Sequence, residues 1–288
     1  MSENKTNRRQ FLGSLGLVGA GAMLGSCAVV AAPNKPNIDI DVLNFALNLE
    51  YLEAEFYLWA AFGRGLSAAD SGGGPASVGG RKVNFTDDRV RQYAEEIAMD
   101  EEAHVRALRA TIIALGGKPV ARPKIDIGAA FTAAASAASN GAIKDFDAYA
   151  NDLTFMHGAF VFEDVGVTAY NGAATLITDP KILQAAAGIL AVEAYHAGEV
   201  RTYLYANKDQ MAYGLKVEQI IAAISALRGK VGGGKDEGIT KNGKANIVAA
   251  DENAIAYART TAEVLRIVYL GNVGKGGFYP DGLNGNIK

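Results

Sequence analysis

The stretch "AVEAYHAGEVRTYLY", residues 191–205, places Glu193 three residues before His196 in an otherwise apolar run. The chain has 288 residues and only three histidines. A helix advances about 100° per residue, so positions three apart share one face. A carboxylate and an imidazole on a common face can hold one metal ion. A single Glu-x-x-His is weak evidence, because solvated helical pairs produce the same spacing. A second copy lies in "DEEAHVRALR" (100–109), where Glu101 precedes His104. Together the copies use two of the three histidines.

Two further helical stretches supply a carboxylate each. "LNFALNLEYLEAEFY" (43–57) carries Glu50, and "FVFEDVGVTAY" (160–170) carries Glu163. Glu53 and Glu55 compete with Glu50, Glu53 lying about one turn away on a face it could share. The first long helix is expected from about Ile38 to Phe62. The second has its N-cap at Thr86 or Asp87 and runs to about Leu115. The third is expected from about Asp145 to Leu176, and the fourth from an Asp179–Pro180 start to about Ala206. Glu50 then lies about 18 Å before its helix end and Glu101 about 22 Å after the next start, at 1.5 Å per residue. Glu163 and Glu193 register in the same way. In two antiparallel hairpins each Glu faces a Glu-x-x-His at one height.

Four carboxylates and two histidines at one level of a four-helix bundle can hold two metal ions. Without cations, four acids in a dry core repel, and some must protonate. The set resembles the arrangement of di-iron and di-manganese carboxylate proteins. The four stretches "LNFALNLEYLEAEFY", "DEEAHV", "FEDVGVTAY" and "VEAYHAGEVR" also resemble the ferritin-like domain family, in particular an exported branch related to desiccation-associated proteins. The tail "VLRIVYLGN…GGFYPDGLNG" is similar to that branch as well. The resemblance covers about residues 38–207. It implies an all-α, ferritin-like four-helix bundle with a long crossover between the second and third helices, which residues 116–144 would supply. It implies the ligands Glu50, Glu101, His104, Glu163, Glu193 and His196, and ferroxidase, peroxidase or catalase chemistry.

Around this set, Tyr57 and Tyr170 each lie seven residues after their Glu and share its face. They are either packed core tyrosines or hydrogen-bond donors to ligand carboxylates. Glu102 reads as an outer acid. Glu199, three past His196, reads the same way unless it swings inward. His157 falls about 240° from the face of Glu163, outside the site. Carboxylate and imidazole without thiolate suit two iron or manganese ions, with zinc as the alternative, and O₂ or peroxide as the reacting partner. A non-enzymatic envelope stress protein with a structural metal is the other reading.

The rest of the chain frames the bundle. "NRRQFL" (7–12) followed by "GSLGLVGAGAMLGS" (13–26) reads as a twin-arginine signal peptide, residues 1–26, too short and Gly-rich for a membrane span. Residues 27–37 form a linker that starts at Cys27, the one cysteine. In "LGSC" that residue reads as a lipidation site for membrane attachment; ordinary cleavage near Ala31–Ala32 is the alternative. The expected location is the periplasm or a membrane-anchored lipoprotein, with no disulfide in the mature protein. The net charge is −3, and loss of residues 1–26 leaves about −5, which argues against nucleic acid as a partner. Residues 208–288 are expected as a C-terminal extension with two shorter helical pieces, "LKVEQIIAAISALRG" and "AYARTTAEVLRIVYL", and an irregular tail. The short helix "AAFTAAASAAS" (129–139) belongs to the crossover. No strand alternation is evident. Oligomeric state, a homo-oligomer included, is not readable from these features.

Overall fold

The computed structural model describes residues 37–288; the Arg8–Arg9 pair and Cys27 lie outside the described residues. Four long helices form the bundle: α1 (Asp39–Phe62), α2 (Asp88–Ala114), α4 (Asp152–Ala174) and α5 (Pro180–Ala206). The crossover from α2 to α4 contains α3 (Ala129–Ala138), and the C-terminal extension contains α6 (Val217–Val231) and α7 (Thr261–Val268). The fold is all-α, as expected, apart from two small antiparallel hairpins. These are β1 (Met211–Ala212) with β2 (Leu215–Lys216), and β3 (Thr240–Lys241) with β4 (Lys244–Ala245). Strands of two residues are too short to show alternation, which is why the sequence hides them. Among the described residues no helix is long and apolar enough to cross a membrane.

The helix ends follow local chemistry. α1 stops at Gly63, whose φ of 70° is the left-handed conformation that glycine adopts without strain. Asp87 caps α2 by accepting from the Arg89 N–H at 3.0 Å. Asp179 caps α5, with Pro180 in its first turn. α4 starts later than the expected Asp145. Asn151 and Thr154 form a capping box there, and residues 145–150 are turns. α6 is shifted from the expected 215–229 to Val217–Val231, and α7 is confined to the later part of its expected stretch, because Thr260 caps it through Glu263.

The bundle is built from two hairpins with the same internal layout. Asp39, eleven residues before Glu50, accepts from Thr178 and Asp179 at the head of α5, at 2.8–3.1 Å. Asp152, eleven residues before Glu163, accepts from Thr86 and Asp87 at the head of α2, at 2.6–3.1 Å. Each hairpin thus anchors the start of the other's second helix. These charge-assisted bonds fix the heights of the four helices relative to one another.

α1 is buried nearly all round, which explains its lack of a polar stripe. The extension supplies part of that cover. Asn48 of α1 exchanges two hydrogen bonds with the backbone of Asn284, and its carbonyl accepts from the Tyr279 hydroxyl at 2.7 Å. Phe278 packs on Phe131 of α3 and Phe162 of α4, with ring centroids 5.1 and 4.9 Å apart. A buried ion network joins α4 and α5 to the extension. Asp164 accepts from Arg201 and Arg228, and Asp236 from Arg228 and Arg259, at 2.7–2.8 Å.

Candidate metal centre

The expected six residues come together at the centre of the bundle. Glu50, Glu101, Glu163 and Glu193 are at most 1% exposed, and His104 and His196 are buried. Glu101 lies between the two imidazoles. One of its oxygens is 3.5 Å from His104 Nδ1 and the other 3.2 Å from His196 Nδ1. His104 Nδ1 also lies 3.2 Å from Glu50 and 3.9 Å from Glu193. His196 Nδ1 lies 3.7 Å from Glu163. The ring centroids are 6.5 Å apart. Ligand atoms of Glu50, Glu101, His104 and Glu193 fall within 4.8 Å of one another, as do those of Glu53, Glu163 and Glu193. Glu53, which competes with Glu50 in sequence, thus joins the second group, with Glu163 and Glu193, and not that of Glu50.

Close as these groups are, their contacts lack hydrogen-bond geometry. Glu50 Oε2, Glu53 Oε1, both oxygens of Glu101, His104 Nδ1, Glu163 Oε2, both oxygens of Glu193 and His196 Nδ1 are buried with no hydrogen-bond partner among the described residues. Buried polar atoms left this way cost about 1–3 kcal/mol each, and charged ones more. Neighbouring buried acids show the contrast. Glu55 pairs with Arg122 and accepts from Leu66 N–H at 3.0 Å. Glu102 pairs with Arg64 at 2.9 Å and Arg106 at 3.1 Å. Arginines satisfy those two acids, and among the described residues no lysine or arginine pairs with the central cluster. Acids and imidazoles aimed at a shared space fit a cation pair: two divalent ions offset most of five carboxylate charges.

The electrostatics without ions point the same way. Burial, then the Glu101 carboxylate, pushes Glu50 up to about 7. Burial pushes Glu163 up to about 8. Burial and the surrounding carboxylates push Glu53 and Glu193 well above the usual range. Glu101 goes the other way: burial opposes its charge, but the two histidines beside it outweigh that and lower it. Burial disfavours the imidazolium forms, yet the carboxylates win, raising His104 to about 11 and His196 to about 10. Protons occupy the roles that ions would take.

The surrounding groups orient the cluster. Tyr57 donates to Glu163, and Tyr170 donates to Glu50. The sequence placed each tyrosine on the face of its own helix's Glu. The structure shows each reaching the Glu of the opposite hairpin. Burial and the accepting Glu raise both phenols well above their usual range, so both stay donors. His196 Nε2 lies 3.1 Å from Asp100, which holds the ring with Nδ1 toward the cluster. Sequence reading missed Asp100, since helix arithmetic within α2 does not say what crosses from α5. It also missed Gly166. A Cβ there would lie 2.2 Å from Glu193 Oε2 and 3.3 Å from Glu53 Oε1. A mid-helix glycine, costly by about 1 kcal/mol, was the available signal.

Glu199 is half-buried, its carboxyl raised by burial and by Glu96, and it is not part of the two clusters. His157 also lies apart. Its Nδ1 meets the Leu153 carbonyl at 2.6 Å, and burial lowers it to about 4.

Two antiparallel helix hairpins with a convergent, buried carboxylate and imidazole set define a protein of the carboxylate-bundle metal-binding class. Family comparison agrees: the ferritin-like domain matches residues 38–206. The chain belongs to the ferritin-like domain family. It is 35% identical over 265 residues to the desiccation-related protein PCC13-62 of Craterostigma plantagineum, covering 85% of this chain and 83% of that one. It is 34% identical over 284 residues to the ferritin-like catalase Nec2 of Nesocodon mauritianus, covering 91% and 89%.

Proposed function

We propose that this protein is an exported metalloprotein that disproportionates hydrogen peroxide, with two iron or manganese ions held by Glu50, Glu101, His104, Glu163, Glu193 and His196. The observation that carries the reading is the set of buried, unpartnered oxygens and nitrogens from four helices around one space. The catalase relative supports peroxide over the other oxidants this donor set suits. Such an ion pair supplies two-electron redox chemistry, so that two peroxide molecules become two waters and one O₂. The chain's own groups do the rest. Glu101 faces both metal positions. Tyr57 and Tyr170 hold one oxygen each of Glu163 and Glu50, leaving the other oxygen to face inward. Burial keeps bulk water from the site.

The desiccation-related relative favours a second reading, a stress protein in which the metal is structural. Metal content of protein purified from its native host, followed by stopped-flow mixing with H₂O₂, separates the two. Two redox metals per chain with O₂ release at one per two peroxides supports the enzyme. Redox-inert metal without O₂ release supports the structural role. Export by the twin-arginine route, with attachment through a lipidated Cys27, belongs to the same proposal. Replacing Arg8 and Arg9 by Lys should leave the protein in the cytoplasm, and fractionation of host cells reads this directly.

A further inference from the structure

The two hairpins repeat one another closely, and their differences mark what each metal position needs. Glu50 corresponds to Glu163, Tyr57 to Tyr170, Glu101 to Glu193 and His104 to His196. Three residues past Glu50 stands Glu53; three residues past Glu163 stands Gly166. The structure shows why these two differ. Glu53 does not join Glu50's group. Its carboxylate crosses to Glu163 and Glu193, within 4.8 Å of ligand atoms from both. Gly166 is the space it crosses into, since a methyl there would meet Glu193 at 2.2 Å and Glu53 at 3.3 Å. Glu53 is 4% exposed and its Oε1 has no partner.

We infer that Glu53 is a seventh protein ligand, given by α1 to the metal position on the α4–α5 side, and that Gly166 is the cavity-forming residue that admits it. This rests on the dinuclear reading above. The two positions are then unequal. One is built from Glu50, Glu101, His104 and Glu193. The other is built from Glu53, Glu163, Glu193 and His196, with the second oxygen of Glu101. The additional carboxylate makes the second position the more anionic, and so the tighter for a hard divalent cation. Ions should therefore load in order, with the α4–α5 position filled first.

Anaerobic titration of the metal-free full chain with Mn²⁺, by calorimetry with elemental analysis of the product, tests this. Wild type should take two ions in two resolved steps. Glu53→Gln keeps the shape and removes the charge; it should weaken the tighter step at least tenfold and leave the weaker step unchanged. Gly166→Ala removes no carboxylate but presses on Glu53 and, harder, on Glu193, which serves both positions, so it should weaken both steps; far-ultraviolet circular dichroism checks helicity in both variants. Two steps unchanged in both variants would overturn the role of Glu53 while leaving the six-ligand centre standing. A wild-type chain that binds no Mn²⁺ or Fe²⁺ would overturn the dinuclear reading itself, and this inference with it.

Discussion

At the residue scale, the centre is a set of acids and imidazoles that only protons or cations can reconcile. His104 and His196 are raised to about 11 and about 10, and Glu163 and Glu50 to about 8 and about 7. At pH 7 the metal-free site therefore holds protons on both histidines and shares others among the raised carboxyls Glu50, Glu53, Glu163 and Glu193. Metal needs these groups deprotonated, so binding releases protons and affinity rises with pH. Calorimetry of Mn²⁺ binding in buffers of differing ionisation enthalpy should show more than two protons released per filled centre at pH 7. Affinity should increase from pH 6 to pH 8. A release near zero would mean that the cluster is already ionised and unlike the one described. The tyrosines give a second test. Tyr57→Phe and Tyr170→Phe remove donors to Glu163 and Glu50 without removing a ligand. Each should keep two ions per chain while weakening affinity about 10–100-fold, read in the same titration.

At the scale of elements, the heights of the helices are set by two carboxylates that sit far from the central cluster. Asp39 accepts three hydrogen bonds at the head of α5, and Asp152 does the same work at the head of α2. Asp39→Ala should destabilise the fold by about 1.5–3 kcal/mol, since it removes a buried charged acceptor of three hydrogen bonds. Urea unfolding measures that loss. The site's legibility in the sequence followed the same division. Glu50, Glu101, His104, Glu163, Glu193 and His196 could be brought together because spacing within a helix and height along a hairpin are arithmetic. The acceptors of Tyr57 and Tyr170, the crossing of Glu53 and the hold of Asp100 on His196 depend on how each helix is rotated against its neighbours. Rotation is decided by packing, and no periodicity prints it. The start of α4 was misplaced for a local reason: the capping box of Asn151 and Thr154 outweighs the acidic residues upstream of it.

For the whole molecule, the extension beyond α5 is structural support for the bundle. Arg228 is 3% exposed and joins Asp164 of α4 to Asp236 in the loop after α6, and it also donates to the Phe160 carbonyl. Nothing in the sequence foretold this network, because its partners come from three separate segments. Arg228→Ala leaves two buried carboxylates each short of a cation. Arg201 and Arg259 remain beside them, so the cost should fall below the roughly 3–5 kcal/mol of a fully unpaired buried charge, and thermal unfolding of the full chain should report it. The tail acts in the same sense. Tyr279 and Asn284 tie to Asn48, two residues before Glu50, so loss of the tail should loosen the helix that carries both Glu50 and Glu53.

The central claim is that the bundle holds two ions between the carboxylates and imidazoles of its four long helices. Anomalous difference maps from crystals of the metal-loaded protein, recorded above and below the iron and manganese absorption edges, test it most directly. The account predicts two peaks about 3.5–4 Å apart, flanking Glu101, with one against His104 and the other against His196. A single peak, or none, in protein that carries its native metal would contradict it.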